Sequence, residues 1–121
     1  HDADEALGLA DDLVVLIEGR CVAQGEPPRL YAAPPSEAVA RLMGELSPLP
    51  DGSFARPECL KLRGDTNGAF PVRERARRQA GPWIELELVW DGGVTWARTR
   101  EAPDRVESLD VAAVDVLRFA R

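Results

Sequence analysis

The apolar rhythm of this chain changes once, across Ser47-Pro-Leu-Pro-Asp-Gly-Ser53, and that change limits what the chain can fold into. Upstream, Leu13-Val-Val-Leu-Ile17 is continuously apolar and β-branched, the pattern of a strand covered on both faces. Downstream, the period is two. Trp83-Ile-Glu-Leu-Glu-Leu-Val-Trp90 alternates apolar with acidic residues for most of its length, as a sheet with one buried face requires. The stretch 47–53 is turn chemistry throughout and is expected to be a linker. Charge steps at the same place: residues 1–53 hold three arginines against ten acids, net −7, and residues 54–121 hold twelve bases against eleven acids, net +1. A chain of 121 residues suits one domain, or one small domain with an appendage.

Local signals fill in the two parts. Asp2 and Glu5 form a capping-box pattern for a short helix over about 3–10. Glu18-Gly19-Arg20 is a tight turn that returns the first strand as Cys21–Gln24. A hairpin this apolar needs a neighbour to cover it. Pro27-Pro28 opens a short helix anchored by Leu30 and Tyr31, because proline is tolerated in a first turn whose N–H groups have no partner. Ser36 caps a second helix to about Met43, with Val39, Leu42 and Met43 expected inward and Gly44 as its stop. Beyond Ser53, strands are expected at Leu60–Leu62, Val72–Ala80, Trp83–Trp90, Val94–Arg98 and Val114–Phe119, while 106–109 is ambiguous. Asp91-Gly92-Gly93 is a hairpin turn. The expected class is α+β: a short α/β segment over 1–46, then a small all-β barrel or sandwich over 54–121.

Most familiar chemistries find no residues here. Cys21 and Cys59 match no metal or redox spacing, so both read as small apolar residues in a reducing compartment. One histidine, at position 1, rules out Ser-His-Asp and Cys-His sets. His1, Asp2, Asp4 and Glu5 could be a metal cluster, but a helix N-terminus collects acids for capping anyway, and no metal is expected. Gly92-Gly93 and Gly64-Asp-Thr-Asn-Gly68 lack the lysine and following helix of a phosphate loop. Arg73, Arg75 and Arg77 alternate on one strand face and are expected to be solvated, paired across the hairpin with Glu85 and Glu87, so nucleic acid is not the expected partner. The tryptophans read as core or interface. The longest apolar run, Leu13–Ile17, is too short to span a membrane. The opening residues are acidic where a signal peptide would be basic, so a cytoplasmic location is expected.

The order His1-Asp2, Glu5-Ala6, Ala10-Asp11, Leu13–Ile17, Gly19-Arg20, Gly25-x-Pro27, Tyr31, Pro34, Ser36, Val39-Ala40, Gly44-Glu45 resembles the stretch that follows the switch histidine in ATP-binding subunits of ABC importers. Arg56-Pro57-Glu58 is similar to the Arg-Pro-Glu of the transport-associated OB domain that follows the ATPase in that family. The likeness covers residues 1–45 closely and 54–121 loosely. It departs from the family in spacing: ten residues separate Glu45 from Arg56, where the family has a longer stretch. That departure implies a truncated barrel, or one completed by strand exchange with a second copy.

The resemblance implies that 1–46 is the end of a nucleotide-binding domain with its connecting helices and that 54–121 is an OB-like regulatory domain. His1 would be the switch histidine, reaching the γ-phosphate of ATP. The parent would use MgATP, pair with a second copy of itself, and drive a membrane permease from the inner face of the membrane. Its solute would be iron, a polyamine, sulfate, molybdate or a sugar, and a small-molecule effector is among the implied partners. The segment carries no cofactor site of its own and, lacking Walker A, signature and Walker B motifs, should not hydrolyse ATP alone. A hydrophobic contact between two barrels would suit the apolar faces of Trp83–Trp90 and Val94–Ala97. The alternative is a stand-alone OB-type module for an oxyanion or single-stranded nucleic acid.

Overall fold

A computed structural model describes residues 12–119. The chain divides into two compact units, 1–46 with 119–121, and 47–118. The helix expected over 3–10 lies outside the described residues.

In the first unit, β1 (Leu13–Ile17) pairs antiparallel with β2 (Arg20–Gly25). The two residues between them, Glu18 at φ 53° and Gly19 at φ 78°, both adopt the left-handed region. Their backbone twist therefore matches that of the strands they join. A bulge between Val15 and Leu16 skips Val22 in the pairing. Two helices follow, α1 (Pro27–Ala32) and α2 (Glu37–Met43). The Ser36 hydroxyl accepts the Val39 N–H at 3.2 Å, capping α2 as the sequence predicts.

Val15, Leu30, Val39 and Met43 form the core of this unit, with Leu13, Ala23 and Tyr31 packed against it. Two expectations fail here. Leu42 is exposed and Ala40 is buried, because positions 36, 39, 40 and 43 share one helical stripe and 42 falls beside it. β1 is covered on one face only: Val15 is buried, but Val14 and Leu16 are 49% and 61% exposed.

The second unit is built of short strands. β3 (Ser47–Pro48) pairs with β4 (Phe54–Ala55), so the stretch expected as a linker is instead a hairpin within this unit. Its turn is held by Asp51, which accepts the Ser53 hydroxyl and the Ser53 N–H; these bonds hold the Asp51 carboxyl below the usual range. Pro57 opens a 3-10 turn over Pro57–Cys59. Then come β5 (Lys61–Arg63), β6 (Phe70–Pro71), β7 (Arg73–Ala80), β8 (Trp83–Trp90), β9 (Gly93–Thr99) and β10 (Ser108–Asp110).

β10 resolves the ambiguous stretch: it lies between β5 and β6 in one sheet, while β7, β8 and β9 form an antiparallel meander. The strand expected over 114–119 is not formed. Ala113–Asp115 is a 3-10 turn, Val114 is 88% exposed, and only Leu117 bridges back, to Phe54. The α+β class therefore stands, with a strand-rich second unit whose sheets stay open rather than closing into a barrel.

The core of this unit gathers Leu49, Ala55, Leu60, Val72, Leu86, Leu88, Ala97, Val106 and Leu109. Two glycines are required by close approach: the Trp90 indole lies where a Cβ on Gly93 would sit, and the Ser108 Oγ is 2.6 Å from where one on Gly68 would sit. Thr95, opposite Leu88 and fully buried, is the one buried side chain whose polar atom finds no partner among the described residues.

Candidate functional site

The residue expected to carry chemistry, His1, lies outside the described residues, as do Asp2, Asp4 and Glu5. Among the described residues no group of three or more His, Cys, Asp or Glu could hold a metal ion. Neither glycine-rich segment fits a nucleotide phosphate. Gly93 is covered by Trp90, and the 64–69 loop is tied down: Ser108 Oγ accepts the Gly68 N–H at 2.9 Å, Asp65 Oδ1 accepts the Asn67 N–H at 2.9 Å, and Asp110 Oδ1 accepts the Ala69 N–H at 2.7 Å. Loop N–H groups engaged in this way are not offered to an anion. Cys21 is exposed and Cys59 half-buried, both free. Burial, then the Asp115 and Glu58 carboxylates, push the Cys59 thiol up, away from reactivity.

The densest cluster of charged and aromatic side chains is the outer face of the β7–β8–β9 sheet. Leu86, Leu88, Thr95 and Ala97 point into the core, so Trp83, Glu85, Glu87 and Val89 of β8 point out, as do Val94, Trp96 and Arg98 of β9. On β7 the simple alternation expected for Arg73, Arg75 and Arg77 is broken by a bulge between Glu74 and Ala76. Arg73 stays on the outer face opposite Val89. Arg75 pairs with Glu87, whereas Arg77 ends opposite Leu86 and Arg78 takes its place outside.

Arg78 and Arg98 both reach Glu85, at 2.6 Å and 3.4 Å, and the hydrogen bond from Arg78 is the main reason that carboxyl sits below its usual range. Arg77 instead closes the loop beyond β9. It donates to Glu74 at 2.6 Å and to the Pro103 carbonyl at 2.7 Å, while Glu74 accepts the Val106 N–H at 3.2 Å. Pairing of the arginines with Glu85 and Glu87 was legible in the sequence; which arginine took which partner depended on the bulge. Arg98 and Arg100 were missed, although the period-two spacing Trp96-x-Arg98-x-Arg100 was the available signal.

The tryptophans divide. Trp90 packs against the core, the Arg100 guanidinium sits 4.9 Å from the centre of the Trp83 ring, and Trp96 is 50% exposed. The apolar sides of β8 and β9 are mostly interior, and Val94 and Trp96 are the large apolar residues that these strands leave exposed.

An α+β chain of two compact units, one a helix-flanked hairpin and the other strand-rich, is the class that the fold defines. No protein-family model matches it. The chain is 32% identical over 81 residues to the sulfate/thiosulfate import ATP-binding protein CysA of Nocardia farcinica, covering 67% of this chain and 24% of that one. It is 44% identical over 50 residues to the Fe(3+) ions import ATP-binding protein FbpC of Agrobacterium fabrum, 41% of this chain and 14% of the relative. With CysA of Gloeobacter violaceus it shares 28% identity over 88% of its own length and 36% of the relative's. The chain is thus related to ATP-binding subunits of ABC importers, as its amino-terminal motifs implied, and spans about a third or less of the relatives it matches. None of its described helices is long and apolar enough to cross a membrane.

Proposed function

We propose that this chain is the C-terminal regulatory and dimerisation segment of an ABC importer ATP-binding subunit whose parent couples MgATP hydrolysis to solute uptake. The observation that carries the reading is the alignment with an import ATP-binding protein over 88% of the chain, which reaches across both compact units. In the parent, His1 would be the switch histidine, positioned to stabilise charge on the transferring phosphoryl group. Residues 1–46 would complete the nucleotide-binding domain, and the one-sided cover of β1, with Val14 and Leu16 exposed, suits a strand that packs on more of that domain.

The strand-rich unit would regulate. A second copy of the subunit, a membrane permease and a small-molecule effector are its proposed partners, at the cytoplasmic face of the membrane. The solute belongs to the iron, polyamine, sulfate, molybdate or sugar class. MgATP would be bound by the parent, since this stretch carries no Walker A, signature or Walker B motif.

Phosphate release by the isolated chain with MgATP tests the first half of this reading: the expected rate is that of the buffer, and steady turnover would refute it. The second half is tested in the parent subunit, where removing residues 47–118 should change solute-dependent control of hydrolysis while leaving hydrolysis itself. Unaltered control after that deletion would refute a regulatory role.

A further inference from the structure

The outer face of the β7–β8–β9 sheet has a composition that neither the core nor catalysis in the parent needs. In a chain of net charge −6 it presents Arg73, Arg75, Arg78, Arg98 and Arg100 against Glu85 and Glu87. Glu85 and Glu87 are already bound to three of these arginines, and Arg73 makes no ion pair or side-chain hydrogen bond among the described residues. Beside Arg73 an open groove of about 720 Å³ runs between the β6–β7 segment and the β8–β9 turn, with Val89 and Val94 as apolar lining and Asp91 at the turn. Val94 is 39% exposed, and Trp96 is the next outward residue along β9. A cation without a partner, a groove lined by both charged and apolar side chains, and a half-exposed indole therefore adjoin on one surface.

We infer that this face docks an acidic segment of a partner protein, seating an apolar side chain over Val89 and Val94 and carboxylates on Arg73 and its neighbouring arginines. Charge complementarity selects that occupant. A second copy would bring the same positive face against this one in a two-fold contact, which like charges oppose. Single-stranded nucleic acid is disfavoured by the scarcity of free aromatic rings on this face. It needs successive stacking platforms, and only Trp96 offers a free ring, since Arg100 covers Trp83. An exposed aromatic beside arginine is the composition of a protein-binding hot spot.

The test is a titration of the isotope-labelled full chain with a capped peptide alternating glutamate and leucine. Its lysine-for-glutamate counterpart and an oligothymidylate of about ten nucleotides serve as controls. The Trp96 indole N–H and the Val89 and Val94 amides should shift with the acidic peptide. Arg73→Glu and Trp96→Ala should each weaken binding about tenfold or more, while Arg29→Glu in the first unit should leave it unchanged. Both Arg73 and Trp96 are exposed, so the variants keep the parent spectrum and the comparison holds. The inference is overturned by equal binding of the lysine peptide, by tighter binding of the oligothymidylate, by shifts confined to other surfaces, or by no shift at about 1 mM acidic peptide.

Discussion

Leu86 and Trp96 stand on adjacent strands of one sheet but on opposite faces, and replacing each by alanine tests the register on which the outer-face argument depends. Leu86 is fully buried, opposite Ala97 on β9 and Arg77 on β7, in the larger of the two apolar clusters among the described residues. Truncating a leucine so placed removes its transfer free energy and leaves a cavity that a rigid sheet fills poorly. The expected cost is about 3–5 kcal/mol. Trp96 keeps half its surface in water, so Trp96→Ala should cost under about 1 kcal/mol.

Urea unfolding followed by tryptophan fluorescence measures both, because all three tryptophans lie in the unit 47–118 and report on it alone. A one-residue slip of β8 would carry Glu85 and Glu87 into the core and Leu86 out of it. Equal losses for the two variants, or a loss under about 1 kcal/mol for Leu86→Ala, would refute the assignment of inner and outer faces.

Two further outcomes follow from one buried and one half-buried polar group. Thr95→Val should raise stability by about 1 kcal/mol, because it replaces a buried hydroxyl that has no partner among the described residues with a methyl of similar volume; a lower urea midpoint would show that the hydroxyl is bonded. Glu74 is held below the ordinary glutamate value of about 4.5, first by the hydrogen bond from Arg77 and also by the Val106 N–H. Since its carboxyl is harder to protonate folded than unfolded, the stability it adds is present in full above that value. It is lost as pH falls through the lower folded one. Wild type should therefore lose more stability than Glu74→Gln as pH falls from neutral into the acid range, read from thermal midpoints; parallel profiles would deny the linkage.

Much of the first unit was legible because its signals are local. Glu18-Gly19 fixes a turn through backbone freedom, Ser36 caps a helix three residues before its bonded N–H, and Pro27-Pro28 starts one, all within a few residues of chain. The meander β7–β8–β9 was legible for the same reason, as period-two alternation and a glycine turn need no distant partner.

What the linear order determined by itself was therefore element type where the signals are local, the polarity of most faces there, and the likeness to import ATP-binding subunits. Tertiary structure alone decided the rest. Whether Ser108–Asp110 became a strand depended on pairing with residues 61–63 and 70–71, far away in the chain. Val114–Phe119 has strand-like residues but found no ladder beyond one bridge to Phe54, and stayed irregular. The bulge at Arg75 moved Arg77 off the outer face and brought Arg78 onto it, a choice made by the fit of β7 between β8 and the 103–107 segment. Long-range pairing involves loop-closure entropy and packing that no local pattern encodes, so the arginine–tryptophan face appears only once the sheet is folded.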